Sequence, residues 1–248
     1  MLSYCDLEYK ENLFLDLYLP ESDSFDLFVY FHGGGLEGGS RKKGYELFIE
    51  DLAKENVATA SVDYRLYPDA KFPDFIVDCA DAVRYLKDHI SKWGKCNRIF
   101  LGGSSAGGYI SMMLCFDDRY LKAAGVDPSD IDGYIHDAGQ PTSHFNVLRE
   151  LGKDSKRIIV DETAPMYFVG TKEAYPPMQF IVSDNDMFGR YEQTMLMISV
   201  LHHFGHTENV FLSVQNSTHC RYVRKQDENG NSVFASILLP FINRVRGK

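Results

Sequence analysis

Short apolar segments with the composition of buried strands alternate with longer segments of helical periodicity along most of this chain. The strand-like segments are residues 13–19, 26–31, 57–63, 98–101, 133–135, 178–182 and 210–214. Helical spacing of apolar residues covers residues 45–55, 75–90, 106–116, 191–204 and 233–245. Because consecutive parallel strands need a crossover, usually a helix, the alternation predicts an α/β fold with a mainly parallel central sheet and helices on both faces.

The length of the chain suits one such sheet. It has 248 residues, of which 44% are hydrophobic, and it contains no internal repeat, low-complexity tract or linker. We therefore expect residues 1–248 to form a single domain. Residues 140–177 interrupt the alternation with four prolines and several aromatic residues. We expect this segment to form an excursion over the edge of the sheet.

The charge balance argues against two classes of partner. The chain has 35 acidic and 26 basic residues, which gives a formal net charge of −9. Nucleic acids and anionic membrane surfaces both call for a basic face. No apolar run approaches the ~18 residues of a membrane span. We therefore expect neither a nucleic-acid partner nor a membrane association, while the oligomeric state is left open.

The cysteines and the first residues indicate a compartment. The five cysteines are widely spaced and form no CxxC pair, which argues against a disulfide framework and against a zinc site. The N-terminal residues MLSYCDLEYK lack a basic start followed by an apolar run, so we expect no signal peptide. Reduced thiols in the cytoplasm are the predicted state.

A glycine-rich turn joins a strand-like segment to a helical one at residues 103–107, which read Gly-Ser-Ser-Ala-Gly. In the Gly-x-Ser-x-Gly pattern the serine sits on a strained strand-to-helix turn, so the residues two positions away must be small. The spacing predicts Ser105 as a nucleophile. Ser104, flanked by Gly102 and Ala106, is the alternative.

A second glycine run follows the strand at residues 26–31. Residues 32–35 read HGGG, and glycines let backbone N–H groups approach a substrate oxygen without a Cβ in the way. Such a loop, together with the amide of the residue after the nucleophile, can form an oxyanion hole. The two motifs support each other because one chemistry demands both.

A nucleophilic serine also needs a base that takes its proton, and the base needs an acidic residue that orients it. His219 follows the strand at residues 210–214 and precedes the last helix, which suits a base. The strand at residues 178–182 is followed by Asp184 and Asp186, and spacing alone leaves both as candidates for the acid. Loop aspartates are also common turn formers.

The remaining histidines are weaker candidates. His202, His203 and His206 lie in or at the end of a helix, and no HExxH pattern surrounds them, so we expect surface residues rather than metal ligands. His136 and His144 precede the acid position, and we expect them at most to line the site. The sequence predicts no metal and no cofactor.

Together these residues resemble the α/β-hydrolase esterases of the hormone-sensitive-lipase and carboxylesterase kind, including small bacterial acetyl and feruloyl esterases. The resemblance covers roughly residues 28–219. It rests on HGGG at residues 32–35, on VDYRL at residues 62–66 with the prolines that follow, and on SAGG at residues 105–108. Asp186-Met187-Phe188 aligns with the Asp-Pro-Leu of the family's acid loop, which favours Asp186 over Asp184.

The chain departs from the family pattern in three places. Ser104 stands where an aspartate usually precedes the nucleophile. His219 lacks the glycine often found before it. The N-terminal region is too short for the helical cap of the larger members, so the resemblance predicts no large cap domain and argues against activity on long acyl chains.

The resemblance implies a serine esterase that hydrolyses short-chain acyl esters through Ser105, His219 and Asp186. The N–H groups of Gly34, Gly35 and Ala106 are the expected oxyanion hole. The expected partner is a small-molecule ester. A peptidase or an amide hydrolase such as an arylformamidase is the alternative on the same fold, and a non-catalytic binding protein is a further one.

Overall fold

One eight-stranded sheet organises the protein, with the strand order β1-β2-β4-β3-β5-β6-β7-β8. The computed structural model describes residues 1–42 and 44–247. Strands β3 to β8 run parallel to one another, whereas β2 pairs antiparallel with both β1 and β4. The strands are β1 Leu2–Lys10, β2 Leu13–Leu19, β3 Ser24–Phe31, β4 Val57–Val62, β5 Lys95–Ser104, β6 Gly133–Asp137, β7 Met178–Asn185 and β8 Val210–Thr218.

Seven α-helices connect and flank the strands in the part of the chain that the structure describes. They are α1 Glu46–Lys54, α2 Asp74–His89, α3 Ala106–Phe116, α4 Asp118–Ala123, α5 Phe145–Glu150, α6 Arg190–His203 and α7 Val233–Val245. Short 3-10 helices occur at Ile90–Lys92, Pro128–Asp130, Pro165–Phe168 and Arg221–Arg224. No helix among the described residues is long and apolar enough to cross a bilayer.

Side-chain alternation along the strands divides the core into two layers. In β3, Leu27 and Val29 belong to the layer that includes α2, α3 and α6, whereas Phe28 and Tyr30 belong to the layer that includes α1 and α7. Successive side chains of a strand point to opposite faces, so a strand covered on both faces is apolar throughout. The prediction of a mainly parallel sheet with helices on both faces is confirmed.

The helix α3 runs through the middle of one layer. All eleven of its residues are buried, as its nearly uniform apolar sequence predicted. The strand β1, by contrast, escaped prediction. Its first five residues are exposed at the edge of the sheet, so no apolar alternation marks it in the sequence.

The segment at residues 140–177 lies between β6 and β7, which are interior strands of the sheet. It contains α5 and one 3-10 helix among its described elements, and no strand. The Asn146 side chain donates a hydrogen bond to the Gly35 carbonyl, and the Tyr109 hydroxyl of α3 donates to the Thr163 carbonyl. The excursion therefore covers the carboxyl ends of the central strands rather than an outer strand of the sheet.

Candidate active site

Ser105 lies on a sharp turn between β5 and α3. Its backbone has φ 57° and ψ −112°, a conformation that L-residues rarely adopt and that lifts the side chain out of the turn. The Ser105 N–H donates to the Asp137 carbonyl at 2.8 Å. A Cβ on Gly103 or Gly107 would overlap the Phe31 carbonyl oxygen. The glycine spacing thus reflects the close packing of β3 against this turn.

Three side chains that follow different strands form one hydrogen-bonded chain, in which His219 lies between Ser105 and Asp186. His219 Nε2 lies 2.8 Å from Ser105 Oγ, and His219 Nδ1 lies 2.6 Å from Asp186 Oδ1. Because an ionised carboxylate only accepts hydrogen bonds, Nδ1 carries the ring proton and Nε2 accepts from the Ser105 hydroxyl. The arrangement has the connectivity of a Ser-His-Asp triad.

The Asp186 carboxylate is enclosed and well satisfied. Its side chain is 0% exposed, and it accepts from the Met187 N–H at 2.7 Å and the Ser183 N–H at 3.3 Å. Burial raises the pKa of Asp186, but the hydrogen bond and charge of His219 and these two N–H groups outweigh burial and hold the pKa below its usual value. Asp186 is thus a charged acceptor for the imidazole.

Asp184, the alternative acid, and Ser104, the alternative nucleophile, both lie away from the His219 ring. Asp184 is exposed and accepts from the Ser217 N–H at 3.1 Å, so it holds the end of β8 just before His219. The Ser104 hydroxyl points into the protein, where it donates to Asp137 Oδ2 at 2.5 Å and accepts from the Tyr30 hydroxyl at 3.0 Å. Neither makes a hydrogen bond to His219 among the described contacts.

The glycine loop lies directly over the turn. A Cβ on Gly33 would come within 3.3 Å of the Ser105 Cβ, and Gly34 and Gly35 have φ angles of 131° and 67°. The Gly34 carbonyl accepts from two N–H groups of its own turn, and the Gly35 carbonyl accepts from Asn146. The N–H groups of Gly34, Gly35 and Ala106 have no hydrogen-bond acceptor among the described residues, so they are available to an oxyanion.

A cavity of about 690 Å³ opens beside Ser105 and His219. Its other lining residues include Tyr30, Gly33, Gly34, Gly35, Tyr45, Phe145, Met187, Cys220, Arg221 and Arg224. A second cavity of about 440 Å³ shares Phe145 and Met187 with it. Among the aromatic residues of the excursion, Phe145 lines the site, whereas Tyr175 packs against Phe116 with a ring-centre distance of 5.1 Å.

The remaining histidines lie outside this cavity. His136 is 1% exposed, and burial lowers its pKa to about 3; its Nδ1 lies 2.9 Å from the Ser111 hydroxyl. His144 is also 1% exposed and caps α5 through the Asn146 N–H. His202 and His203 are exposed on α6. No cluster of potential metal ligands occurs in residues 1–42 and 44–247.

Sequence reasoning missed several residues at the site, among them Met187, Cys220 and Asp137. Met187 and Cys220 line the cavity next to the acid and the base, and Asp137 lies beneath the turn. The adjacency of Met187 to Asp186 and of Cys220 to His219 was a usable signal. No local pattern marks Asp137, because its contacts come from other strands.

Several known proteins are similar to part of this chain. Residues 15–125 match the family model BD-FAE. The matched segment contains the glycine loop and Ser105 but ends before Asp186 and His219. An isoprenylcysteine alpha-carbonyl methylesterase of Arabidopsis thaliana is 34% identical over 113 residues, or 45% of this chain and 26% of that protein. The amyloplastic tuliposide B-converting enzyme 1 of Tulipa gesneriana is 35% identical over 111 residues, or 38% of this chain and 25% of that protein. The chain spans about a quarter to two fifths of the length of the first curated relatives it matches.

Solved structures extend the likeness to the whole chain. A thermophilic esterase from Thermogutta terrifontis superposes with a TM-score of 0.77 at 19% identity and covers 98% of this chain and 92% of its own. Esterase B from Lactobacillus rhamnosis has a TM-score of 0.77 at 16% identity, with 99% and 86% covered. The chain has the α/β-hydrolase fold. The resemblance inferred from its motifs is confirmed.

In this fold the candidate site occupies the carboxyl ends of parallel strands. Ser105 follows β5, Asp186 follows β7 and His219 follows β8, so neighbouring loops at one edge of the sheet supply all three. The chemistry open to the arrangement is proton transfer from a hydroxyl to an imidazole beside free N–H donors. That combination suits attack on a carbonyl carbon.

Proposed function

We propose that this α/β-hydrolase is a serine esterase that hydrolyses short-chain acyl esters of small molecules. The observation that carries the proposal is the position of the His219 ring, 2.8 Å from Ser105 Oγ and 2.6 Å from Asp186 Oδ1 beside an open cavity. The esterase names of its relatives and structural neighbours support the same class of reaction. Five free thiols favour a reducing compartment, so a cytoplasmic location is part of the proposal.

In the proposed reaction, Ser105 Oγ attacks the ester carbonyl carbon while its proton moves to His219 Nε2. Asp186 keeps the imidazole in the required tautomer and stabilises the imidazolium. The N–H groups of Gly34, Gly35 and Ala106 hold the oxyanion. His219 then protonates the leaving alcohol, and the acyl group stays on Ser105.

Water completes the turnover. His219 removes a proton from the water as the water oxygen attacks the acyl carbon. The bond between Ser105 Oγ and the acyl carbon then breaks, His219 returns the proton to Ser105 Oγ, and the carboxylic acid is released. The same base therefore serves both halves of the reaction. None of these steps requires a cofactor.

The lining of the second cavity favours a short acyl group. It combines Ile158 and Phe188 with the cations Lys156 and Arg157. Each CH₂ of an acyl chain that finds an apolar wall contributes ~0.8 kcal/mol. Both cations are exposed, and an acyl chain laid against them would displace water from charged groups, so further methylenes gain little here. Acetyl to butyryl esters are the proposed substrates.

A panel of p-nitrophenyl esters from two to twelve carbons, measured beside a matched anilide, tests the proposal. We expect kcat/KM to peak at two to four carbons and to be far higher for the ester than for the anilide. In Ser105→Ala the turnover should fall ~10⁶-fold and labelling by a fluorophosphonate should be lost, whereas Ser104→Ala, which retains Ser105, should still be labelled at Ser105, although more slowly.

Three results would contradict parts of the proposal. A peak at eight carbons or more rejects the short-acyl preference and leaves the triad intact. Faster cleavage of the anilide favours an amide hydrolase. A wild-type protein that neither turns over esters nor reacts with the fluorophosphonate is a binding protein on a hydrolase scaffold.

A further inference from the structure

A buried carboxylate lies beneath the turn that carries Ser105. Asp137, the last residue of β6, is 0% exposed. Its Oδ2 accepts from the Ser104 hydroxyl at 2.5 Å, and its Oδ1 accepts from the Tyr222 hydroxyl. The Tyr30 hydroxyl donates to Ser104 Oγ at 3.0 Å, which makes a continuous chain of buried hydrogen bonds.

The same residue also holds the turn through its backbone. Ser104 and Asp137 are register partners in the β5–β6 pair, and the Asp137 carbonyl accepts from the Ser105 N–H at 2.8 Å. One residue therefore contacts two consecutive residues of the strained turn, Ser104 through its side chain and Ser105 through its main chain. Such contacts restrict the direction in which Ser105 Oγ points.

The carboxylate of this network comes from the neighbouring strand. The residue before the nucleophile is Ser104, and its hydroxyl links the turn to Asp137 on β6. Buried polar groups of this kind are stable when each one has its partners. Both oxygens of Asp137 have hydroxyl donors.

We propose that Asp137 is a positioning residue of the catalytic site. Its carboxylate, acting through Ser104, fixes the turn that carries Ser105, and its negative charge stabilises the imidazolium form of His219. The proposal rests on the proposed function, since the imidazolium arises in that reaction.

The groups that face Asp137 are Ser104, Tyr30 and Tyr222, with His219 and Asp186 as the charged residues of the triad nearby. Burial raises the pKa of Asp137 to about 6. The hydrogen bonds from Ser104 and Tyr222 and the charge of His219 lower this pKa, whereas the charge of Asp186 raises it further. Burial raises the pKa values of Tyr30 and Tyr222 far above neutrality, so both remain donors. Arg190 of α6 donates to the Ala138 carbonyl, one residue further along.

Asp137→Asn tests the proposal because it keeps the shape of the side chain and removes its charge. We expect kcat to fall roughly tenfold with KM unchanged, and the acidic limb of the kcat/KM profile to move to lower pH, since the imidazolium loses a stabilising charge. Adding Ser104→Asp to this variant places a carboxylate in the turn. This second change should reverse at least half of the loss in kcat and at least half of the shift of the acidic limb.

The matched control is Asp26→Asn. Asp26 is 3% exposed at the opposite end of β3 and pairs with Arg246 at 2.6 Å, so its loss should lower stability without moving the pH profile. An Asp137→Asn enzyme that is less stable but keeps its kcat and its acidic limb would show a purely structural role and overturn the proposal.

The rate of fluorophosphonate labelling against pH separates this inference from the proposed function. Labelling reports the reactivity of Ser105 without an ester substrate, so an unaltered labelling profile in Asp137→Asn counts against the inference even if no ester is turned over. If Asp137→Asn does not fold, Ser104→Ala removes the hydroxyl link instead. Unchanged labelling of that variant at every pH rejects positioning through Ser104.

Cations border the catalytic cavity on the side of His219. Arg221 lines both this cavity and an adjoining one of about 580 Å³, whose other lining residues are Ser217, Arg224 and Lys225. Arg224 lies over the Tyr45 ring, 5.6 Å from its centre. Within residues 1–42 and 44–247, no carboxylate forms an ion pair with Arg221 or Lys225.

This positive margin contrasts with the net charge of −9. In the proposed reaction His219 protonates the leaving oxygen, so the alcohol portion of the ester lies on the side of His219 and Arg221. A guanidinium offers a planar fork of donors that matches a carboxylate, sulfate or phosphate. Resting on the proposed function, we infer that Arg221 and Lys225 bind an anionic group carried by the alcohol portion of the substrate.

A pair of isosteric substrates tests this inference: 4-acetoxybenzoate, which is anionic, and 4-acetoxybenzamide, which is neutral. We expect kcat/KM to favour the anion at low salt, and this preference to fall roughly five- to tenfold in Arg221→Gln and to weaken as salt is added. Lys95→Gln is the control, because it removes an exposed cation at the amino end of β5, and it should leave the preference unchanged.

A wild-type enzyme that hydrolyses both substrates equally, or an Arg221→Gln variant that keeps the preference, overturns the anionic subsite and leaves the esterase proposal standing. An enzyme that hydrolyses neither 4-acetoxybenzoate nor 4-acetoxybenzamide, by contrast, contradicts the esterase proposal itself. The two failures are therefore distinguishable.

Discussion

Ser105 carries the strain of the site in its own backbone. A φ of 57° with a ψ of −112° lies outside the favoured regions and costs on the order of 1–3 kcal/mol. The turn is held by the Ser105 N–H bond to Asp137 and by the Tyr109 N–H bond to the Ser105 carbonyl at 3.0 Å. Single hydrogen bonds likewise determine which of the two aspartates after β7 orients the His219 ring.

The two aspartates after β7 should differ sharply when each is replaced by asparagine. In Asp186→Asn, kcat should fall ~10⁴-fold, because an amide can donate to Nδ1 and favours the wrong tautomer of His219. Asp184→Asn should change kcat by no more than a few fold, since Asp184 braces only the Ser217 N–H. Steady-state kinetics on an acetyl ester measures both, and a crippled Asp184→Asn beside a mild Asp186→Asn would reverse the assignment.

The site depends on how closely α3 and β3 approach each other. The start of α3 packs against the end of β3, where the Phe31 carbonyl faces Gly107 with no room for a side chain. Helix α5 contributes from the other side, because Asn146 donates to the Gly35 carbonyl. The nucleophile and the glycine loop are thus held between three elements.

Gly107→Ala should separate α3 from β3. The added methyl group overlaps backbone atoms, which cannot rotate away, so we expect a loss of about 3 kcal/mol in the free energy of unfolding together with a large loss of activity. Urea denaturation measures the first quantity. Gly152→Ala is the control: it has a φ of 69° but open space around its Cβ, and backbone strain alone should cost about 1 kcal/mol. Equal losses in the two variants would show that packing against Phe31 does not matter.

On the scale of the whole molecule, ion pairs attach the edge strand β1 to the helical layer. Lys10 contacts Asp78 at 2.9 Å and Asp81 at 2.7 Å, and Arg65 contacts Asp78 at 2.8 Å. Asp78 is 0% exposed. Burial raises its pKa, but the hydrogen bonds from Arg65 and Lys10 outweigh burial and hold the pKa below the usual value of an aspartate.

The pH dependence of stability should report this cluster. Because the pKa of Asp78 is lower in the folded protein than in the unfolded chain, its contribution is present above about pH 4 and is lost as the pH falls through the folded value. Asp78→Asn should lower the free energy of unfolding by about 3 kcal/mol at neutral pH and flatten the acid limb of the stability curve. Asp23→Asn, which removes an exposed carboxylate, should leave the curve in place. Parallel curves for Asp78→Asn and the wild type would contradict the prediction.

Features that depend on neighbours in the chain could be predicted from the sequence. The strand and helix order follows from local apolar periodicity, and the bounds of α3 and α7 were predicted to the residue. Ser105 and the glycine loop could be singled out because a tight turn limits the residues two positions away. His219 stood out through its place after the last parallel strand. The edge strand β1 was missed because its exposed residues carry no periodic signal.

The tertiary structure decided what depends on distances between strands. Spacing left Asp184 and Asp186 equivalent; the path of the loop after β7 places one against His219 and the other against Ser217. Asp137 reaches Ser104 only because β6 pairs with β5 in a particular register. The sequence by itself determined the elements and the type of chemistry, since both are encoded in short local patterns. Only the folded sheet determined which distant side chains share the site, because strand register and loop path set those distances.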